Sequence, residues 1–180
     1  MINVTRLLAG ISVCVCLTAS LVDSARTQGS PQAQAAAGSA LPIVKDSNGK
    51  LVGVYSFSGL YINNFRETVV IKAPSGRYFG LDIAANQLFG PGYLDFPTAD
   101  CSGQAYAQGM LEDGVNPPLV PLAVVIGTTA YIPSEKVVAS LVIQSQLGSQ
   151  GCVSNSFSSA EVPIASTFDL SVFVPPFSVQ

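Results

Sequence analysis

Histidine and tryptophan are both absent from the 180 residues, and only 11% of the side chains are charged, against about 25% in an ordinary globular chain. Without imidazole, Ser-His-Asp and Cys-His catalysis are excluded, as are zinc sites that rely on histidine. The chain also lacks a Gly-x-Ser-x-Gly elbow, a glycine-rich phosphate loop and a Cys-x-x-Cys pair. A formal charge of -3 offers no basic field for a phosphate backbone. Nucleic acid is therefore not an expected partner, and nothing in the residue pattern asks for a cofactor or a resident metal.

What is present is apolar: 48% of the residues, with 16 glycines and 12 prolines among the rest. Valine, threonine and serine are abundant. β-Branched side chains suit a pleated surface, and Gly and Pro punctuate it, so strands joined by many turns are expected rather than helices.

The amino end reads as an address. Met1 to Arg6 carries one positive charge and no acid, and Leu7 to Val22 runs almost without polarity before small residues follow. That order is a secretory signal, residues 1–25, with cleavage after Ala19, Ser20, Ser24 or Ala25. A retained anchor is the rival reading, since the apolar run falls just short of a full span. Valines, not small residues, precede Cys14 and Cys16, which argues against a lipid-acceptor site. Residues 26–40 hold no large apolar side chain to bury and are expected to be a disordered tether. The folded domain is placed at 41–180. From Arg26 onward seven basic and ten acidic residues remain.

Within that domain Leu41 to Lys45 and Lys50 to Ser58 flank Asp46-Ser47-Asn48-Gly49, a hairpin turn because Asn-Gly tolerates positive φ. Leu51, Tyr55 and Phe57 are expected on one face, and Val52, Val54, Ser56 and Ser58 on the other. Asp-x-Asn-Gly also opens calcium loops, but the later acidic ligands are missing. Glu67–Ala73 and Arg77–Ile83 alternate about Pro74-Ser75-Gly76 as a second hairpin, with Arg77 and Asp82 facing solvent. Leu88 to Gly92 reads as a kinked segment leading into Tyr93–Tyr106, which is strand, tight turn and strand. Gly109 to Pro121 reads as a loop, 122–126 and 128–132 as short buried strands, and Lys136–Gln144 as an amphipathic strand. Gly148 to Ser159 is Gly- and Ser-rich and reads as a loop, Val162–Ala165 as an edge segment, and Thr167–Val174 as strand or short helix. The predicted fold is all-β, a single antiparallel sandwich or barrel-like domain.

If Cys14 and Cys16 leave with the signal, Cys101 and Cys152 remain, and in an exported domain they have one intramolecular pairing. The bridge closes about 52 residues, worth roughly 4 kcal/mol by the chain-entropy argument. No Lys or Arg neighbours either thiol in sequence to activate it.

Carboxylate pairs are the remaining catalytic option, as in glycoside hydrolysis. Glu112-Asp113 is a solvated pair in a Pro- and Gly-rich loop. Asp95 and Asp100 flank the central turn and admit two readings: convergence on a ligand or cation, or for Asp100 a turn former accepting N–H groups near Ser102 and Gly103. Ser47-x-x-Lys50 matches a catalytic spacing that requires a helix, which Asn-Gly breaks. Tyr61, Tyr78, Tyr93, Tyr106 and Tyr131 cannot all be core if strands alternate, and aromatic faces suit sugar or protein binding. Tyr93, Asp95, Asp100 and Tyr106 are therefore the candidate ligand-binding residues, and no residue is assigned a catalytic role.

Two segments carry a resemblance. Asp46-Ser-Asn-Gly-Lys-Leu-Val-Gly53 and Asp100-Cys-Ser-Gly-Gln-Ala-Tyr106, followed by Gly151-Cys152, resemble a pattern in small exported bacterial β-rich proteins of unassigned function. Similar segments adjoin collagen-like or fibre-like surface regions, but no Gly-x-x repeat precedes the domain in this chain. The resemblance implies an exported module of surface or adhesive use. The expected function is thus a secreted or periplasmic, non-enzymatic module for an unknown protein or glycan ligand, without a membrane span once the signal is cleaved. Two alternatives stand beside it: a small hydrolase using paired carboxylates on a glycan, and a structural piece that self-associates.

Overall fold

The computed structural model of this protein describes residues 41–61, 64–108, 119–136 and 138–180. The expected leader and tether, residues 109–118 with Glu112 and Asp113, Val137 and the side chain of Tyr61 lie outside the described residues. In chain order the strands are β1 (Ile43–Lys45), β2 (Leu51–Tyr61), β3 (Asn64–Lys72), β4 (Tyr78–Ala84), β5 (Gln87–Phe89), β6 (Leu94–Phe96), β7 (Tyr106–Gln108), β8 (Val124–Ile126), β9 (Thr129–Pro133), β10 (Val138–Gly148), β11 (Gly151–Asp169) and β12 (Ser178–Val179). A 3₁₀ turn, Leu170–Val172, follows β11, and no α-helix occurs among the described residues.

The strands form two antiparallel sheets of six, ordered β12-β1-β2-β3-β4-β5 and β10-β6-β7-β11-β9-β8. The fold is the all-β sandwich that the composition predicts. Val44, Val69, Ile71, Phe79 and Leu81 from the first sheet share one core with Ala130, Ile132 and Phe168 from the second. The Phe79 and Phe168 rings meet at 5.5 Å between centroids, and Phe168 stacks in turn on Phe173. Each such buried side chain contributes about 1.5–3 kcal/mol. Leu94, Phe96, Ala107 and Val124 make a second core within the second sheet.

The Asp46 turn does more than reverse the chain. Asp46 Oδ1 accepts the N–H groups of Asn48 and Lys50, while Oδ2 accepts that of Val174, 128 residues away. Lys50 Nζ donates to the Val172 carbonyl at 3.0 Å and lies over the Phe173 ring. One turn thus clamps the segment after β11, and β12 completes the edge beside β1 through the pair Val44 and Val179.

Five expectations need correction. β11 begins at Gly151, so the Gly- and Ser-rich stretch is strand, not loop. Ser154, Ser156 and Ser158 are exposed while the backbone is secured by β10, which pairs with it from Gly148–Gly151 to Val138–Glu161. Val162–Ala165 is likewise no edge, because Pro163 faces β7 on one side and Ile164 pairs with β9. Strict alternation along β2 fails at a bulge: the pairing shifts between Val44 and Lys45, so both Val52 and Gly53 are buried and Val54 is exposed. Asp82 does not face solvent. It is 3% exposed and bound to Arg66 at 2.9 Å. Leu88 and Phe89, read as part of a kink, belong to β5 and pair with β4.

Candidate functional site

The turn after β6 is built by its own polar side chains. Asp100 Oδ1 accepts the Ser102 hydroxyl at 2.6 Å and the Ser102 N–H at 3.2 Å. Those bonds to Ser102 hold the Asp100 carboxyl below its ordinary value of 3.8. Thr98 Oγ1 closes the same turn by donating to the Ser102 carbonyl. Cys101 takes a φ of 56° and Gly103 one of 85°, so a non-glycine residue occupies the left-handed region. Ser145 of β10 and the Cys101–Cys152 disulfide hold it there. Asp100 is therefore the turn former of the two readings, and its carboxyl is turned to Ser102.

Asp95 is placed differently. It pairs with Gln146 of β10 on one side and Tyr106 of β7 on the other, and Tyr106 pairs in turn with Pro163 of β11. Cross-strand partners share a face. Tyr93, two residues before Asp95, points the same way. Its ring lies so close over Gly148 that a Cβ there would sit 2.8 Å from two ring carbons. Tyr93 is 61% exposed and Tyr106 half-buried, with Val153 and Asn155 of β11 on the same exposed face.

β11 also pairs with β10, so β10, β6, β7 and β11 close a circuit of pairings. Glu161 stands where β11 is flanked on both sides, opposite Val138 and Gln108. Its carboxyl lies beside that of Asp95, near enough for the Asp95 charge to act on it, and the two residues are 0% and 3% exposed. A polar chain surrounds them. Asn155 donates to Gln146 Oε1 at 2.6 Å, Gln146 Nε2 donates to Asp95 Oδ1 at 2.7 Å, and the Ser159 hydroxyl donates to Glu161 Oε1.

Glu161 Oε2 has no donor of its own. Two buried carboxylates in contact cannot both stay ionised, so one proton between them satisfies the remaining oxygen. Burial drives the Glu161 carboxyl up to about 7, the negative charge of Asp95 and the hydrogen bond to it push the same way, and Ser159 opposes them.

Of the four candidate ligand residues, the fold thus brings Tyr93, Asp95 and Tyr106 to one face and leaves Asp100 in the turn. Glu161, Gln146 and Ser159 escaped the sequence reading. A signal for Glu161 was there: it is the sole charged residue between Lys136 and Asp169, with Ala160 before it and Val162 after. Among the described residues no three His, Cys, Asp or Glu side chains gather as a metal-ligand set. A shallow apolar recess lined by Ile83, Ala84, Ala85, Phe177 and Val179 lies on the first sheet.

No family model, curated protein or solved structure matches this chain.

Proposed function

We propose that this chain is an exported, non-catalytic sandwich module that binds a protein or glycan ligand through the outer face of its second sheet. The observation that carries the reading is the exposed ring of Tyr93, close over Gly148 on the face that also holds Tyr106, Val153 and the amide of Asn155. A fixed aromatic face brings contact area at low entropic cost, and neighbouring amides donate and accept hydrogen bonds. Export is supported by the signal-like start, by the disulfide, and by the resemblance to small exported β-rich proteins. No helix among the described residues is long and apolar enough to cross a membrane.

The hydrolase alternative draws on one feature, the raised Glu161 carboxyl beside Asp95. Glycosidase carboxyls stand about 5–9.5 Å apart to admit the sugar or a water. Asp95 and Glu161 lie side by side and are both enclosed, with no room shown for a sugar or a water between them, which supports binding over hydrolysis.

Binding of the purified chain to immobilised envelope glycans and to surface-protein fractions tests the reading. Saturable binding is expected, with a loss of about tenfold in Tyr93→Ala at unchanged thermal stability. Absence of binding to both, or glycan cleavage abolished by Glu161→Gln, overturns it. Elution as an oligomer through this face would move the assignment to self-association.

A further inference from the structure

We propose that Asp95 and Glu161 are a proton-operated latch that holds the seam between β6 and β7 shut and releases it when the shared proton is lost. The seam is the weak point of the second sheet. β6 and β7 meet through one residue pair, Asp95 and Tyr106, whereas β10 and β11 pair along most of their length. The carboxyl contact spans that seam from β6 to β11 and adds a direct link between two strands that share no backbone pairing.

The proton balance is simple. In the closed state the Glu161 O–H donates to the Asp95 carboxylate, and the pair carries one negative charge. When the proton leaves to solvent base, two carboxylates face each other in a buried site. Gln146 and Ser159 supply one donor each and cannot neutralise the second charge. The described residues of these four strands add no cation. Besides the pair, β6, β7, β10 and β11 carry only Tyr106 and Asp169 as ionisable groups, the latter exposed and eight residues beyond Glu161. Glu135 and Lys136, before β10, are both exposed, and Tyr93 lies on Gly148. The charge is relieved by separating the strands, and the strands that part most easily are β6 and β7.

Glu161 is fully buried, so its carboxyl sits above its ordinary value of 4.5, at about 7. A raised folded-state value means that the stabilisation is complete below the unfolded value and is lost as pH rises through the folded one. The latch is shut in mild acid and opens through neutrality. It operates whatever the tyrosine face binds.

The test is the thermal midpoint of the full chain from about pH 5 to pH 8, for wild type, Glu161→Gln and Asp95→Asn. The wild-type midpoint is expected to fall by about 5 °C or more over that range. Glu161→Gln, which keeps a donor and cannot ionise, is expected to remove most of the slope and to exceed wild type at pH 8. Amide exchange at 94–96 and 106–108, corrected for intrinsic rates, is expected to rise about tenfold in wild type at pH 8 and not in the variant. If either variant fails to fold, a carbon NMR titration of the wild-type Glu161 carboxyl decides: a midpoint near neutrality supports the latch, and one near 4.5 overturns it. An unchanged slope in Glu161→Gln also overturns it. So does recovery of the pH 8 midpoint by millimolar calcium, which would assign the pair to a cation.

Discussion

The hydroxyl of Ser145 accepts the Cys101 N–H at 2.9 Å and donates its own proton to the Thr98 carbonyl at 2.6 Å. A side chain in the middle of β10 thereby fixes both the residue that enters the disulfide and the start of its turn. Ser145 is 0% exposed, so neither bond has water to replace it. Ser145→Ala is expected to cost about 2 kcal/mol, the penalty of leaving a buried donor and acceptor unpaired. Urea unfolding with an unchanged slope measures it, and a loss under about 0.5 kcal/mol would show that the turn stands without this anchor.

The disulfide joins that turn to β11 across β10, with Cys152 opposite Leu147. Cys101→Ser and Cys152→Ser are each expected to lower stability by roughly 2–4 kcal/mol, since the bridge closes a long loop. Intact-mass analysis of the purified, non-reduced chain should find both thiols in one internal cross-link. A Cys101→Ser protein that unfolds at the wild-type urea concentration would remove the clasp from the account of stability.

Two opposing titrations set the pH of greatest stability. Burial pulls the Asp46 carboxyl upward, but the N–H groups of Val174, Lys50 and Asn48 and the Lys50 charge outweigh it and lower it below 3.8. A depressed folded-state value contributes stability above the unfolded value and loses it as pH falls through the folded one. Asp100 and Asp169 act in the same direction through Ser102 and Ser171. Glu161 acts in the other, and so does Asp82, whose burial outweighs the pull of Arg66. The maximum is therefore expected in mild acid, between the ordinary carboxyl values and neutrality. A pH series of unfolding midpoints checks this, and a maximum at or above pH 8 would contradict the signs. Asp46→Ala should remove much of the acid-side slope.

Two glycines are required by space. A Cβ on Gly53 would meet the Val70 carbonyl oxygen at 2.2 Å, and one on Gly90 the Ala123 oxygen at 2.3 Å. Both contacts are backbone, which cannot swing aside. Gly53→Ala and Gly90→Ala are each expected to cost about 2 kcal/mol or more and to reduce soluble yield. Gly49→Ala serves as a comparison, because its neighbourhood is open and only its φ of 75° is strained.

The turns were the most legible part of this fold. Asp46-Ser-Asn-Gly49 and Pro74-Ser-Gly76 are local chemistry, and β3 beside the second turn kept its alternation at Val69 and Ile71. The disulfide was legible by elimination. β11 was not, because the serines that crowd residues 153–160 have the look of a loop and become strand only through β10. The Val52 bulge was hidden for a related reason: its cause is a pairing shift with β1, which has no trace in β2 alone. Asp95 was singled out for its place beside a turn. Its partner Glu161 lies 66 residues on, and spacing along a chain does not report a contact made by a long coiled strand. Asp82 looked solvated by alternation and is enclosed because Arg66 and the neighbouring strands cover it.

β11 follows every strand that it joins: β7, β9 and β10 are all made before it. The second sheet consequently has no closed form until about the last thirty residues of the described chain are free. Contacts of such long sequence separation form slowly, because loop entropy must be overcome first. Until then β7 and β9 lack the strand that lies between them. The disulfide lags for the same reason, since Cys152 sits at the start of the late strand. Closure of the second sheet is thus timed by chain order.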